Sequence, residues 1–338
     1  MTIMAETKTT GVQGADAGHT TRALEVFQSR DLRLDAETTT ADRARLIRDA
    51  FCSPDALDGP DAWKTYLQLS GSDRRPLAIL LRDCSLSGSV FSRDNPIHDF
   101  LGIESEMGNA QVIRNAYRTV GELLAKVKKS LPSSSYPKTA EKAQACLKAV
   151  YGAIKAAGIK AGSEDGVPFF HRGIADKVLD CDTSTMVVLA IAHEMKWPVY
   201  PVKVPGHVFA RWDDGAGTRL NIDYGKIHDD DHYMTWPRNI SKESVGKGVY
   251  LKNLTRGEMQ AIIYTTRANA KGKLGRHKEA IADYDTAIEL DPKYASAYCN
   301  RGIARGKLGR HKEAIADYDK AIGLDPKYAS AYYGRAFA

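Results

Sequence analysis

The segment KVLDCDTSTMVVLAIAHEMKW, residues 177–197, contains a cysteine between two aspartates that could act as a nucleophile. Cys181 lies between Asp180 and Asp182, and the run that follows, about residues 183–196, is mostly apolar. We expect this run to form a helix that is buried on all sides. The unpaired N–H groups at a helix N-terminus favour the thiolate, whereas flanking carboxylates oppose it. The pattern therefore predicts a reactive thiol if the helix end dominates.

A histidine and an aspartate downstream could complete the chemistry of such a thiol. His207 lies in VPGHVFARW and Asp223 lies in LNIDYG. An imidazole can exchange a proton with a cysteine, and a carboxylate can orient that imidazole. Taken singly, each residue also has a structural explanation: an inert buried cysteine, a strand histidine and an aspartate at a strand end.

Two strands and a turn are predicted to position the histidine and the aspartate. β-branched and aromatic residues before and after the turn sequence DDGAG indicate a hairpin. If residues 213–217 form a five-residue loop, Trp212 pairs with Thr218 and His207 lies opposite Asp223. Opposed residues point to the same face of a sheet, so this register would let the two side chains meet.

The order of cysteine, histidine and aspartate along helix, strand and next strand resembles the transglutaminase-like superfamily of papain-like cysteine enzymes. The resemblance covers about residues 140–226 and implies an α+β core. It implies that Cys181 is the nucleophile, His207 the general base and acid, and Asp223 the orienting carboxylate. The family usually has an aromatic residue two positions after its histidine, and Phe209 supplies it. The oxyanion-hole donor besides the Cys181 N–H is not identified by the sequence; His171 is one candidate.

A repeat occupies the C-terminal part of the chain. GKLGRHKEAIADYDTAIELDPKYASAY begins at Gly272, and a copy with two differences begins 34 residues later at Gly306. The repeat resembles the tetratricopeptide family, in which each unit is a pair of antiparallel helices. Pro292 and Pro326 are expected to end the second helix of each unit. A third unit opens at SAYYGRAFA.

These patterns give the expected fold class and domains. We expect an α+β transglutaminase-like (papain-like) core with an N-terminal helical region and a C-terminal all-α tetratricopeptide array. The domain boundaries predicted from the sequence are a disordered tail at 1–30, a helical accessory region at 31–135, the transglutaminase-like domain at 136–255, and the repeats at 262–338, two complete and one partial.

Composition limits the function classes. No apolar run approaches the roughly 18 residues of a membrane span, and the N-terminal sequence does not resemble a secretory signal. The five cysteines are widely spaced without a C-x-x-C pair, which argues against disulfides and a cysteine zinc site. Residues 252–338 hold 16 Lys and Arg against 10 Asp and Glu, and so account for the net charge of +6. We expect a cytoplasmic protein that binds no metal, cofactor, nucleic acid or membrane.

Two functional classes remain open from the sequence. The first is a cysteine-dependent acyl-transfer enzyme acting on amide bonds of proteins or peptides, as a protease, deamidase or transglutaminase. The second is a catalytically silent scaffold in which the transglutaminase-like domain accompanies the repeats. In both, the repeats are expected to bind a protein or peptide, or to dock on the catalytic domain.

Overall fold

The computed structural model describes residues 90–338 except 93, 106, 108–109, 132–138, 162–168 and 236–239. Residues 88–338 form one compact unit. The predicted tail at 1–30 and most of the predicted helical region at 31–135 lie outside the described residues, as do Cys52 and Cys84.

Three helices precede the cysteine segment. They are α1 (Ile97–Glu104), α2 (Ala110–Ser130) and α3 (Ala140–Ala156). Thr139 caps α3 by accepting a hydrogen bond from the backbone N–H of Lys142. The apolar stripe of α2 is buried in the main core at Ala116, Val120, Leu123, Leu124 and Val127.

The central helix packs between these helices and a sheet. A short parallel pair, β1 (Lys160–Ala161) and β2 (Val178–Leu179), flanks α4 (Phe170–Asp176). The central helix, α5 (Cys181–Glu194), begins two residues earlier than expected, because the Asp180 carboxylate accepts the backbone N–H of Thr183 and caps it. All residues from 183 to 192 are buried, as the apolar run predicted.

An antiparallel sheet follows α5 and has four strands in the order β3-β4-β5-β6. The strands are β3 (Val199–Val204), β4 (His207–Asp213), β5 (Arg219–Asp223) and β6 (Lys226–His228). The sequence predicted the hairpin of β4 and β5. It did not separate β3 from β4, and it did not predict β6.

The register of the central hairpin differs from the predicted one. Trp212 pairs with Leu220, not Thr218, and the five-residue loop is 214–218 rather than 213–217. The reason is the Asp214 side chain, which accepts the backbone N–H groups of Ala216 and Thr218 and closes the loop one residue later. Because the pairing moves by two positions, His207 and Asp223 still point to the same face.

Seven helices follow β6 in the described part of the chain. They are α6 (Asp230–Met234), α7 (Lys242–Gly246), α8 (Arg256–Lys273), α9 (His277–Leu290), α10 (Ala295–Lys307), α11 (His311–Leu324) and α12 (Ala329–Ala336). Helices α9 and α11 both end two residues before a proline, as predicted. Within each helix pair, small residues such as Ala280 and Ala314 are fully buried.

The helical repeats dock on β3 and on the region of α7 through one aspartate of each repeat. Asp291 follows α9 and forms an ion pair with Lys203 of β3, with each side chain 2% exposed. Asp325 lies 34 residues later and accepts hydrogen bonds from the hydroxyls of Tyr250 at 2.9 Å and Ser244 at 3.2 Å. These buried polar contacts join the repeats to the sheet region.

Candidate active site

Cys181 lies at the first position of α5, where the sequence predicted it. The residue is partly buried, whereas Cys146 and Cys299 are buried. Its thiol donates a hydrogen bond to Oδ1 of Asp182 at 3.4 Å. One turn further along α5, the Thr185 hydroxyl donates a hydrogen bond to the carbonyl oxygen of Val208 at 3.4 Å. The start of α5 therefore packs against β4 at the residue that follows His207.

His207 and Asp223 are in direct contact. Nε2 of His207 lies 2.5 Å from Oδ2 of Asp223, and the two side chains are 6% and 15% exposed. Contact between the imidazole and the carboxylate agrees with the sequence prediction, although the register that produces it is different. A carboxylate on Nε2 makes Nδ1 the nitrogen available for proton exchange elsewhere in the site.

The electrostatics of the thiol run against the sequence expectation. Burial raises the pKa of Cys181, and the carboxylate of Asp182 raises it further, whereas the Val208 N–H lowers it. The helix end therefore does not dominate, and the cysteine rests as a thiol at neutral pH. A nucleophile in this state needs a general base to take its proton during attack.

Residues from the helical C-terminal region border the site. The hydroxyl of Thr266, on α8, donates to Oδ2 of Asp182 at 3.5 Å. The pKa of Tyr294, in the loop between α9 and α10, is raised by burial, and the negative charge of Asp182 raises it further. Sequence analysis identified neither residue. The repetition of Tyr294 at Tyr328 is a signal for the repeat, not for the site, and Thr266 has no sequence signal.

The candidate oxyanion donor has another partner. Nδ1 of His171 lies 2.8 Å from Oε2 of Glu104, and both side chains are buried. The same carboxylate accepts the backbone N–H groups of Phe170 and His171 at the start of α4. His171 therefore has a structural role in holding α1 and α4 together. Within the described residues, no group of three or more acidic, histidine or cysteine side chains is arranged to hold a metal.

The comparisons with known proteins concern the C-terminal helices. Residues 268–309 match the family model described as TPR repeat, and residues 295–328 match the tetratricopeptide repeat model. Residues 268–328 are tetratricopeptide repeats. The tetratricopeptide units correspond to α8 with α9 and to α10 with α11, and α12 begins a third unit, as their 34-residue offset predicted.

The other comparisons add no family. No curated protein matches the chain. Among solved structures, a crystal structure of menin, described as revealing the binding site for Mixed Lineage Leukemia (MLL) protein, aligns with 73% of this chain and 69% of the menin chain. The sequence identity is 14% and the TM-score is 0.44. None of the helices in the described part of the chain is long and apolar enough to cross a bilayer.

Proposed function

We propose that the protein is a cysteine-dependent acyl-transfer enzyme of transglutaminase-like type that acts on amide bonds of proteins or peptides. The hydrogen bond from the Thr185 hydroxyl of α5 to the Val208 carbonyl oxygen of β4, at 3.4 Å, carries this proposal, because it holds the helix that begins at Cys181 against the strand that begins at His207. The contact of His207 with Asp223 supports it, because an oriented imidazole can serve as base and acid.

In the proposed reaction the thiol of Cys181 attacks the amide carbonyl carbon while its proton passes to Nδ1 of His207. His207 then gives this proton to the departing amine, which leaves a thioester on Cys181. Water or a second amine attacks the thioester, the acyl product leaves, and the proton returned through His207 restores the thiol. Asp223 holds the imidazole and stabilises its charged form.

Three readouts on one substrate test the proposal and separate its three classes. Reduced casein is incubated with the full-length protein, and new peptides, released ammonia and incorporation of a fluorescent primary amine are measured. We expect new peptides for a protease, ammonia without amine incorporation for a deamidase, or ammonia with amine incorporation for a transglutaminase. The signal should appear in the wild type and in Cys299→Ser, whose thiol is buried elsewhere, and be absent in Cys181→Ser. Equal activity in the wild type and Cys181→Ser would exclude the cysteine mechanism.

A second candidate function is a catalytically silent interaction scaffold, and the raised pKa of the Cys181 thiol favours it. The discriminating measurement is alkylation by iodoacetamide near neutral pH, read by mass spectrometry. The enzyme proposal expects Cys181 to be labelled faster than Cys146 and Cys299, and His207→Ala to slow this labelling. If Cys181 is labelled no faster than those two buried thiols in the folded protein, the scaffold is the better description.

The tetratricopeptide repeats support protein or peptide binding in either case. A groove of about 720 Å³ lies between α10, α11 and α12. Tyr333 and Phe337, which line it, are 70% and 74% exposed, and Lys307 and His311 line it as well. An acidic segment with apolar side chains would complement this surface. Selection of peptides from a library by the wild type and by Lys307→Glu tests this, because the charge reversal should remove the acidic preference.

A further inference from the structure

A half-buried carboxylate, Asp182, connects the candidate nucleophile with the helix that leads into the repeats. Oδ1 of Asp182 accepts the Cys181 thiol at 3.4 Å, and Oδ2 accepts the Thr266 hydroxyl of α8 at 3.5 Å. We propose, in an inference that rests on the proposed function, that Asp182 is a positioning residue whose hydrogen bond keeps the proton on the Cys181 sulfur. The hydrogen bond from Thr266 keeps the Asp182 carboxylate in place. Through this pair, the repeat segment restrains the nucleophile.

Asp180, the other flanking carboxylate, has a different task. It accepts the Thr183 backbone N–H at 2.9 Å and the Thr183 hydroxyl at 2.7 Å, which caps α5. Its hydrogen-bonding capacity is therefore directed along the helix. Asp182 instead has one oxygen toward the thiol and one toward α8, so it alone of the two links the nucleophile to another element.

The protonation of Asp182 changes near neutral pH. Burial, followed by the negative charge of Asp180, raises its pKa to about 6, against the lowering effects of Cys181, His207 and Thr266. The titratable groups that interact with it are Cys181, Asp180, His207, Tyr224 and Tyr294. An ionised Asp182 disfavours a second negative charge on the adjacent sulfur, whereas a protonated Asp182 does not.

The pH profile of Cys181 alkylation distinguishes this role from a structural one. The rate constant for iodoacetamide is measured on the full-length protein by mass spectrometry, for the wild type and Asp182→Asn, from about pH 5 to pH 9. Near pH 5 the two rate constants should converge, because residue 182 is then mostly neutral in both proteins. Above about pH 7 the variant should react about tenfold faster, since one pKa unit at the thiol corresponds to a tenfold change in thiolate.

Two threonine variants supply a second test and its control. Thr266→Val removes a hydrogen bond that lowers the pKa of Asp182. The pH profile of the alkylation rate should change slope where Asp182 titrates, and this bend should therefore move to higher pH in the variant. Thr265→Val is the matched control, because the neighbouring hydroxyl is buried and lacks a hydrogen-bond partner among the described residues. It should leave the profile unchanged.

If the alkylation rate constants of Asp182→Asn and the wild type differ by the same factor at every pH, the proposal is overturned, because such a difference would indicate altered packing only. If Asp182→Asn does not fold, Thr266→Val decides: an unshifted bend overturns the proposal. The casein assay keeps this result separate from the proposed function. Divergent pH profiles without amide-bond activity would support the Asp182 restraint and reject the enzyme. Parallel profiles with activity would do the reverse.

Discussion

Nε2 of His207 lies 2.5 Å from Oδ2 of Asp223, although the hairpin register does not place the two residues opposite each other. The contact is diagonal, between residues on the same face of β4 and β5, and long side chains can make such contacts across a ladder. The imidazole orientation thus depends on the Asp223 side chain and on the loop closed by Asp214.

Asp223→Ala should reduce activity less than changes at the two residues that exchange atoms with substrate. Cys181→Ala should abolish the casein activity, and His207→Ala should lower it by about 10²–10⁴-fold, the range typical of a general base. Asp223 only orients and stabilises the imidazole, so its removal should cost less. Initial rates for the three variants, with circular dichroism as the folding control, measure this. A loss in Asp223→Ala as large as that in Cys181→Ala would contradict the assigned roles.

The ion pair between Lys203 and Asp291 should be necessary for stability. Both side chains are 2% exposed, so Lys203→Met would leave the Asp291 carboxylate buried without its counter-charge. We expect the free energy of unfolding to fall by about 3–5 kcal/mol, as measured by urea denaturation. Arg172→Ala breaks an exposed pair with Asp176 and should cost less than about 1 kcal/mol.

The double variant Lys203→Met with Asp291→Asn separates charge from packing. It should recover part of the lost stability, because no unpaired charge remains. If it is as unstable as Lys203→Met alone, the loss arises from packing around Tyr294, whose ring lies 4.6 Å from the Lys203 ammonium.

Two glycines on α10 should respond in opposite directions to alanine. A Cβ at Gly302 would lie 2.8 Å from Cε1 of Tyr318 and 3.2 Å from the carbonyl oxygen of Ala314. Gly302→Ala should therefore lower the free energy of unfolding by about 1–3 kcal/mol through overpacking. A Cβ at Gly306 meets nothing within 4 Å, so Gly306→Ala should raise it by up to about 1 kcal/mol through helix propensity. Denaturant titrations that gave both variants the same sign would contradict the packing described for this helix pair.

The raised pKa of Asp182 should make stability depend on pH. The folded-state pKa of about 6 exceeds the ordinary value of 3.8, so the folded state binds more protons than the unfolded chain between these values. The free energy of unfolding should therefore decrease as pH rises through this window, by about 1–3 kcal/mol. Asp182→Asn lacks this dependence, so its stability relative to the wild type should improve between about pH 4 and pH 7. Urea midpoints at the two pH values measure the change, and an equal difference at both would reject it.

Local patterns predicted most of the elements and the members of the candidate site. The burial of α5 and the presence of the tetratricopeptide units follow from the apolar run and from the 34-residue repeat. The hairpin register was wrong, because a side-chain hydrogen bond from Asp214 decided where the loop closes. The residue types in the turn sequence DDGAG did not show whether the loop would be 213–217 or 214–218.

Long-range contacts could not be predicted in the same way. Thr266 and Asp182 are 84 residues apart, and Lys203 and Asp291 are 88 residues apart. Nothing in the local sequence around Lys203 distinguishes a buried ion-pair partner from a strand-edge cation. Docking of the repeats on the preceding domain was one of the expectations, but the sequence did not show that Thr266 would contact a neighbour of Cys181.

Asp291 and Asp325 occupy the same position in two repeats that are almost identical, yet one meets a lysine and the other meets two hydroxyl groups. A chain with duplicated units can misfold by a shift of one repeat, so that the second unit packs where the first unit packs in the native fold. Apolar packing alone would barely oppose such a slip, because the two helix pairs present the same surfaces. The two positions where Asp291 and Asp325 bind differ chemically and so oppose the slip: the slipped arrangement would leave Tyr250 and Ser244 without their carboxylate. Asp291 and Asp325 therefore specify which repeat packs at which position when the chain folds.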